Sequence, residues 1–294
     1  MTDRVRTIAI VGAGAMGAAL ARGAHAAGRQ VVAIASRHPE RREGLAHEIG
    51  CQLVASPGDI DPSVGAILLC VPDDAISPVA STLHDVEGTI VAHTAGAKGL
   101  AAVDVAVGRG AHAGSLHPVM VVAAGGRGHE ALHGATAAID GDAVARPWLT
   151  DLARDLGLEP VDIPASHRAL YHLSASLVGG LMTGLLASAV DLWTHLGLDR
   201  EVGATAMGRM VREAGTNLER LGVPHAVMGP VVRGDAGTIE EHLRVLAVEA
   251  PHLVPLYQDL VALCLPYAVE RGGLDADKAD AIRSSVCARG TDPC

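Results

Sequence analysis

The chain has 294 residues, 49% of them hydrophobic and 19% charged, which supports a sizeable core and excludes disorder as the default. A formal net charge of −10, with no Phe and only two Trp and three Tyr, excludes a general binder of nucleic acid or anionic membranes and leaves no stacking platform for bases. The five cysteines lack a Cys-x-x-Cys and read as reduced thiols of a cytoplasmic protein. Met1 to Arg6 is charged and does not read as a secretory signal. The richest apolar run, Leu177 to Val190, stops at Asp191, short of the roughly 20 residues that a membrane span needs. The expected partners are therefore a small molecule and a second copy, with neither nucleic acid nor membrane.

Thr7 to Val11 is a short β-branched run suited to a strand buried on both faces. Gly12-Ala13-Gly14-Ala15-Met16-Gly17 follows as Gly-x-Gly-x-x-Gly, and then an alanine-rich helix that stops at Gly28. Gly12 permits the tight turn, Gly14 lets a pyrophosphate approach the backbone, and Gly17 lets the helix pack on the strand with its first amides aimed at phosphate. Val31 to Ser36 is the second strand. An acidic residue after it would take the ribose hydroxyls of NAD, but the chain reads Ser36-Arg37-His38. A hydroxyl and a guanidinium suit a phosphate, so the expected cofactor is NADP.

Ile49 to Val54 predicts a third strand. Gly65 to Val71 predicts a buried one that stops at Pro72, with Asp73 and Asp74 placed to cap a helix. Val71 and Pro72 then face the cofactor crevice, because strand ends do so in doubly wound sheets. Thr89 to His93 is another strand and leads into Thr94-Ala95-Gly96-Ala97. Thr94 is the further cofactor-side candidate. Ala113 to Pro118, Ala135 to Ile139 and Pro160 to Ile163 complete the strands, with a helix from about Val144 to Leu156. After Pro164 strand signals end. Ser166 to Leu196 is apolar nearly all round, as in a helix buried in a domain or dimer core. Helices follow over Arg200–Leu221, Thr238–Val248, Pro251–Arg271 and Asp275–Cys287, with a capping box at Thr238-Ile239-Glu240-Glu241. The expected fold is an α/β Rossmann-type doubly wound sheet over residues 1–163, then an all-α domain over 164–294 that forms a homodimer.

Several phrases in order resemble one bacterial family: Gly12 to Gly17, Val71-Pro72-Asp73-Asp74-Ala75-Ile76, His93-Thr94-Ala95-Gly96-Ala97, Gly114-Ser115-Leu116-His117-Pro118, Tyr171-His172, and Gly229-Pro230-Val231-Val232-Arg233-Gly234-Asp235. This is the Rossmann-like family whose second domain was catalogued as a domain of unknown function. It is similar to pyrroline-5-carboxylate reductase and to the 3-hydroxyisobutyrate and 6-phosphogluconate dehydrogenases. Some members serve as alternative ketopantoate reductases. The resemblance covers nearly the whole chain and implies an NADPH-dependent reductase of a small carbonyl compound, a 2-oxo acid such as ketopantoate first. An imine reductase of the pyrroline-carboxylate type is the alternative, and a non-catalytic NADP-binding sensor or assembly subunit the third. Where relatives carry Ala-Ser-Asn after the Tyr-His pair, this chain has Leu177-Val178-Gly179-Gly180.

Reduction of C=O or C=N needs a proton donor. His117 ends a strand on the cofactor side, with Ser115 on the same face. His172 and Ser176 share a helix face at i, i+4, with Tyr171 pointing elsewhere. The expected roles are proton donation by His172 or His117 and substrate binding by Ser115 and Ser176. No metal site is expected. His129-Glu130-Ala131-Leu132-His133 fits a zinc-peptidase pattern, but Gly125, Gly126, Gly128 and Gly134 deny it a rigid helix. Arg233-Gly234-Asp235 reads as a turn between helices.

Overall fold

The computed structural model describes residues 7–123 and 128–287. The expectations for Met1 to Arg6, Gly125, Gly126, the Cys287 thiol and Cys294 lie outside the described residues. Eight strands form one sheet: β1 (Thr7–Val11), β2 (Gln30–Ala35), β3 (Gln52–Val54), β4 (Ala66–Leu69), β5 (Ile90–His93), β6 (His112–Pro118), β7 (Thr136–Gly141) and β8 (Glu159–Asp162). Their order is β3-β2-β1-β4-β5-β6-β7-β8. The pairs from β3 through β6 are parallel, β6 and β7 are antiparallel, and β7 and β8 are parallel. The order reverses between β1 and β4, the position where doubly wound sheets bind ligands.

Parallel strands need cover on both faces, and alternate residues find it. Ile8, Ile10, Leu68, Leu116 and Ile139 pack with helices α1 (Ala15–Ala26), α2 (Pro39–Ile49) and α5 (Ala145–Asp155). Ala9, Val11, Ile67, Leu69 and Val91 pack with α3 (Ile76–Ser81) and α4 (Asp104–Val107). Asp142 starts α5 by accepting from the Val144 and Ala145 amides at 2.9 and 2.8 Å. Asp73 and Asp74, expected as helix caps, instead sit in a 3-10 turn before α3, with no side-chain cap bond there. The third strand is shorter than its apolar run, spanning three residues.

The sheet ends near Pro164, as the change of texture suggests, but the compact units divide later, into Met1–Leu181 and Met182–Cys294. The stretch 164–181 stays with the sheet: a 3-10 turn, helix α6 (Arg168–Ser176) and a π turn at Leu177–Leu181. The π turn falls where the chain departs from Ala-Ser-Asn. The second unit holds α7 (Met182–His195), α8 (Arg200–Leu221), α9 (Ala236–Glu249), α10 (Val254–Glu270) and α11 (Ala276–Cys287). Its core joins Ile239, Leu243, Val261, Leu265, Ile282 and Val286. Helix α9 begins earlier than its expected capping box. Asp235 is the cap, accepting from the Thr238 amide at 3.1 Å, so Arg233-Gly234-Asp235 is a helix-entry turn.

Two expectations need correction. The Ser166 to Leu196 stretch is not buried within this chain: Leu170, Val178 and Leu181 are 63–64% exposed. Two helical stretches, Ala165–His195 and Pro251–Glu270, are also long and apolar enough to cross a membrane by length and composition, with window hydropathies of 1.7 and 1.2. The linear run breaks at Asp191, yet the helical stretch continues through that residue to His195.

The strand–turn–helix at the N-terminus rests on backbone contact. A Cβ on Gly17 would lie 1.9 Å from the Gly12 carbonyl oxygen, whereas one on Gly44 in α2 would meet nothing within 4 Å. Gly17→Ala is therefore expected to destabilise the fold by about 3 kcal/mol, while Gly44→Ala holds or slightly raises stability. Paired thermal melts check the contrast, and equal melting of the two variants would reject it.

Candidate active site

A cavity of about 510 Å³ opens at the β1/β4 reversal. Gly12, Ala13 and Gly14 line it, with Ser36, Arg37, His38 and Arg41 after β2 and Cys70, Val71 and Pro72 after β4. Gly12 has φ +107°, and a Cβ there would lie 2.2 Å from the Cys70 carbonyl oxygen, so the turn and the neighbouring strand end meet backbone to backbone. A Cβ on Gly14 would meet nothing within 4 Å. The space beside Gly14 at the start of α1 is open, as a pyrophosphate against helix amides requires. Of the other residues expected to hold the cofactor, Ala15, Met16 and Gly17 lie on α1, and the Thr94 amide donates to the Leu69 carbonyl at 3.2 Å. None of these four lines the cavity. Burial pushes the Cys70 thiol up to about 12, so it stays protonated there.

Further along the same carboxyl edge stands a cluster built on β6. Strand β5 ends at His93, which pairs with Ser115. The antiparallel partner β7 carries β6 on to Pro118. His117 thus projects beyond β5, over the turn at Gly96. A Cβ on Gly96 would lie 2.5 Å from the His172 ring and 2.8 Å from His117 Nε2, so a side chain there would displace both imidazoles. His117 Nδ1 lies 2.7 Å from the Tyr171 hydroxyl, and the ring centroids of His117 and His172 are 5.9 Å apart. The two histidines expected to share a site do meet.

Tyr171 does not point elsewhere. At i+3 from Arg168 its hydroxyl reaches His117 Nδ1 and also lies 3.3 Å from the His117 carbonyl oxygen. Ser115 is not placed to bind substrate: it is fully buried, and its Oγ accepts from Arg168 Nη2 at 2.5 Å. Ser176 spends its hydroxyl on the His172 carbonyl at 2.8 Å, the back-bonding common for serine within a helix. No hydrogen bond of the His172 ring nitrogens occurs among the described residues, whereas His117 has Nδ1 committed. His129 and His133 flank a 3-10 turn of three residues rather than an α-helix.

Burial sets the protonation of the cluster. It pulls His117 down to about 4, helped by His172 and by the Arg168 cation. It raises the Tyr171 phenol to about 12. His93, fully buried on β5, is likewise pulled down to about 4, chiefly by desolvation. The Ala95 amide donates to His93 Nδ1 at 3.2 Å, so the ring proton sits on Nε2, 3.2 Å from the Gly99 carbonyl oxygen. That neutral ring spans the Thr94–Gly99 loop. Arg168, Asp140, His93 and the role of Tyr171 escape sequence reading. The one available signal is a basic residue at the first position of a helix, where the dipole favours an acid.

Residues 7–96 match the family described as NADP oxidoreductase, coenzyme F420-dependent, and residues 135–263 match the domain of unknown function DUF2520. Among solved structures, the chain is similar to the Bacteroides fragilis protein BF3122, described as an NADP oxidoreductase. The two share 22% identity over 88% of this chain and 97% of that one, with a TM-score of 0.72. A 1-pyrroline-5-carboxylate reductase from Streptococcus pyogenes shares 16% identity over 95% and 96% of the two chains, with a TM-score of 0.57. A reductive aminase from Aspergillus terreus, solved with NADPH and ethyl levulinate, shares 18% over 95% and 99%, with a TM-score of 0.63. No curated protein matches the chain. At these identities the structural likenesses establish the fold.

Fold, cavity and family matches together define an NADP-dependent oxidoreductase of the Rossmann class. More particularly, a match to the NADP-oxidoreductase domain over residues 7–96 is followed in this chain by a match to DUF2520 over residues 135–263.

His93 and His117 make a pH prediction. Both have folded values near 4, against an ordinary value of 6.5. Protons therefore bind the unfolded chain first, and stability is complete above about 6.5 and lost as pH falls toward about 4. Melting temperature is expected to drop across that window. The drop should be shallower in His93→Asn, measured by calorimetry at matched ionic strength.

Proposed function

We propose that the chain reduces the C=N bond of a small imine with NADPH, and that the open imidazole of His172, beside the His117–Tyr171 pair, is the observation that carries this reading. Bound NADPH supplies the hydride. The protein's own residues hold the cofactor, orient the substrate and deliver the proton. Gly12, Ala13 and Gly14 would admit the pyrophosphate to the start of α1, and Ser36, Arg37 and Arg41 would bind the 2′-phosphate. His172 donates the proton, because neither of its ring nitrogens has a hydrogen-bond partner among the described residues. His117, kept neutral by burial, holds its place through Tyr171 and offers Nε2 to the reacting group. The fold shared with pyrroline-5-carboxylate reductase and reductive aminase supports imine chemistry. A small 2-oxo acid such as ketopantoate is the second reading, favoured by the neutral imidazole, which suits a carbonyl oxygen without transferring a full charge. The protein is read as cytoplasmic, with no nucleic-acid or membrane partner.

NADPH consumption with a panel of cyclic imines and 2-oxo acids tests the reading. His172→Gln is expected to lower turnover by about 10²–10⁴-fold while NADPH binding holds. Failure of the whole panel, or full turnover by His172→Gln, would sink it. Arg37→Glu should reverse the preference for NADPH over NADH. Loss of a charge-assisted phosphate contact is worth on the order of 1.5–3 kcal/mol, or roughly tenfold or more in affinity. Calorimetry with both cofactors reads the change.

The second unit also lacks cover. Leu263 and Met210 are 63% and 67% exposed, and α8 buries only Gly203. Apolar side chains left open on α8 and α10 need cover from outside the unit. We read this surface as the interface of a homodimer. Light scattering should give twice the chain mass at micromolar concentration, and a monomer there refutes it.

A further inference from the structure

Arg168 has no part in the chemistry above, yet it is buried at the first position of α6. Aligned peptide dipoles already place partial positive charge at that end, and burial adds a desolvation cost. Nothing about α6 as a helix asks for a cation there. Its acceptors lie elsewhere: Nε donates to the Lys98 carbonyl at 2.8 Å and Nη2 to Ser115 Oγ at 2.5 Å. Nη1 has no hydrogen-bond partner and lies 3.6 Å from Asp140 Oδ2. The other carboxylate oxygen, Oδ1, accepts from the Gly141 amide and from Arg146 Nη2 at 2.8 and 2.7 Å, which leaves Oδ2 to face Arg168. One guanidinium thus joins α6 to the loop after β5, to β6 and to β7.

Spacing links this joint to the reacting groups. Tyr171 and His172 follow Arg168 at i+3 and i+4 and share its helix face. His117 follows Ser115 by two and shares its strand face. Arg168–Ser115 and Tyr171–His117 are two successive rungs between α6 and β6. We infer that Arg168 is a positioning residue, whose forked contacts to Ser115 and to the Lys98 carbonyl hold Tyr171 on His117 and set His172 beside them over Gly96. The inference rests on the reading of this cluster as the proton-delivering group. Lysine, a point charge on a flexible stem, cannot reproduce the fork. The groups facing His117 are Tyr171, His172 and Arg168 on α6, His93 on β5 and Asp73 after β4. Of these, His172, Arg168 and His93 favour the neutral ring, and Asp73 opposes them.

The test is nitrogen NMR of ring-labelled histidine in the full-length protein, with His117→Gln to assign the signal. Steady-state kinetics on the substrate found by the panel and NADPH binding are read beside it. In Arg168→Lys the charge stays and the fork goes. The His117 ring is expected to lose its single tautomer, and kcat to fall about tenfold to a hundredfold, with KM and NADPH affinity unchanged. Arg168→Met should do the same and raise the His117 titration as well. A structural brace alone would lower the melting temperature and leave the His117 signals and kcat as they are, which overturns the inference. Should the Arg168 variants not fold, Ser115→Ala removes one rung only and decides by the same readouts. Failure of the parent reading looks different: Tyr171→Phe and His172→Gln would keep full turnover while the Arg168 variants still disturbed the His117 ring.

Discussion

A buried guanidinium must find acceptors, and Arg168 finds them on chain segments far apart in sequence. The Lys98 carbonyl, the Ser115 hydroxyl and the Asp140 carboxylate belong to a loop and two strands, and each is tied to the first turn of α6 through one side chain. A flat, forked donor with a delocalised charge can serve such a divided set of acceptors. The arrangement makes α6 a continuation of the sheet's architecture rather than a linker. It also explains why the first compact unit runs on to Leu181 although the last strand ends at Asp162. The helix dipole and desolvation both weigh against the cation, so its acceptors must be in place before it can be buried.

The sheet prepares the same site in a second way. A wholly parallel sheet would end β6 level with β5, and His117 would fall in a loop. The antiparallel pairing with β7 prolongs β6 to Pro118 and turns His117 into a strand residue with a fixed direction. Beneath it the Thr94–Gly99 loop is held by a buried neutral histidine that uses both ring nitrogens. Gly96 on that loop has no Cβ to displace the two imidazoles. Strand extension, an internally bonded loop and one missing methyl group together bring His117 and His172 side by side. Further along the edge, the close approach of Gly12 to the Cys70 carbonyl shapes the dinucleotide cavity by the same means, backbone against backbone.

The apolar texture after Pro164 has a different meaning from the one its sequence suggests. Alanine and leucine on every side of a helix argue for burial, but within this chain most of that surface is open. Amphipathicity reports that a face must be covered and not what covers it. The same holds for the length and hydropathy of Ala165–His195: the buried ion-pair joint at Arg168 anchors its first turn to a Rossmann sheet, a contact that composition alone does not reveal.

The sequence by itself determined the nucleotide fold, the glycine turn, the absence of an acidic residue after β2 and the approximate limits of nearly every element, because these depend on local chemistry. Periodicity, backbone freedom and turn residues act within a few positions of one another. It also pointed to His117 and His172, through phrases that resemble a known family. Only the tertiary structure decided what each polar side chain does. Ser115 is a buried acceptor for Arg168, Ser176 bonds its own helix, and Tyr171, expected to point elsewhere on its helix, reaches His117. The roles of Ser115 and Tyr171 follow from pairings across 53 and 54 residues of sequence, where neither partner marks the other in advance. A polar group's function is set by which acceptor burial leaves within its reach, and only the packed chain fixes that.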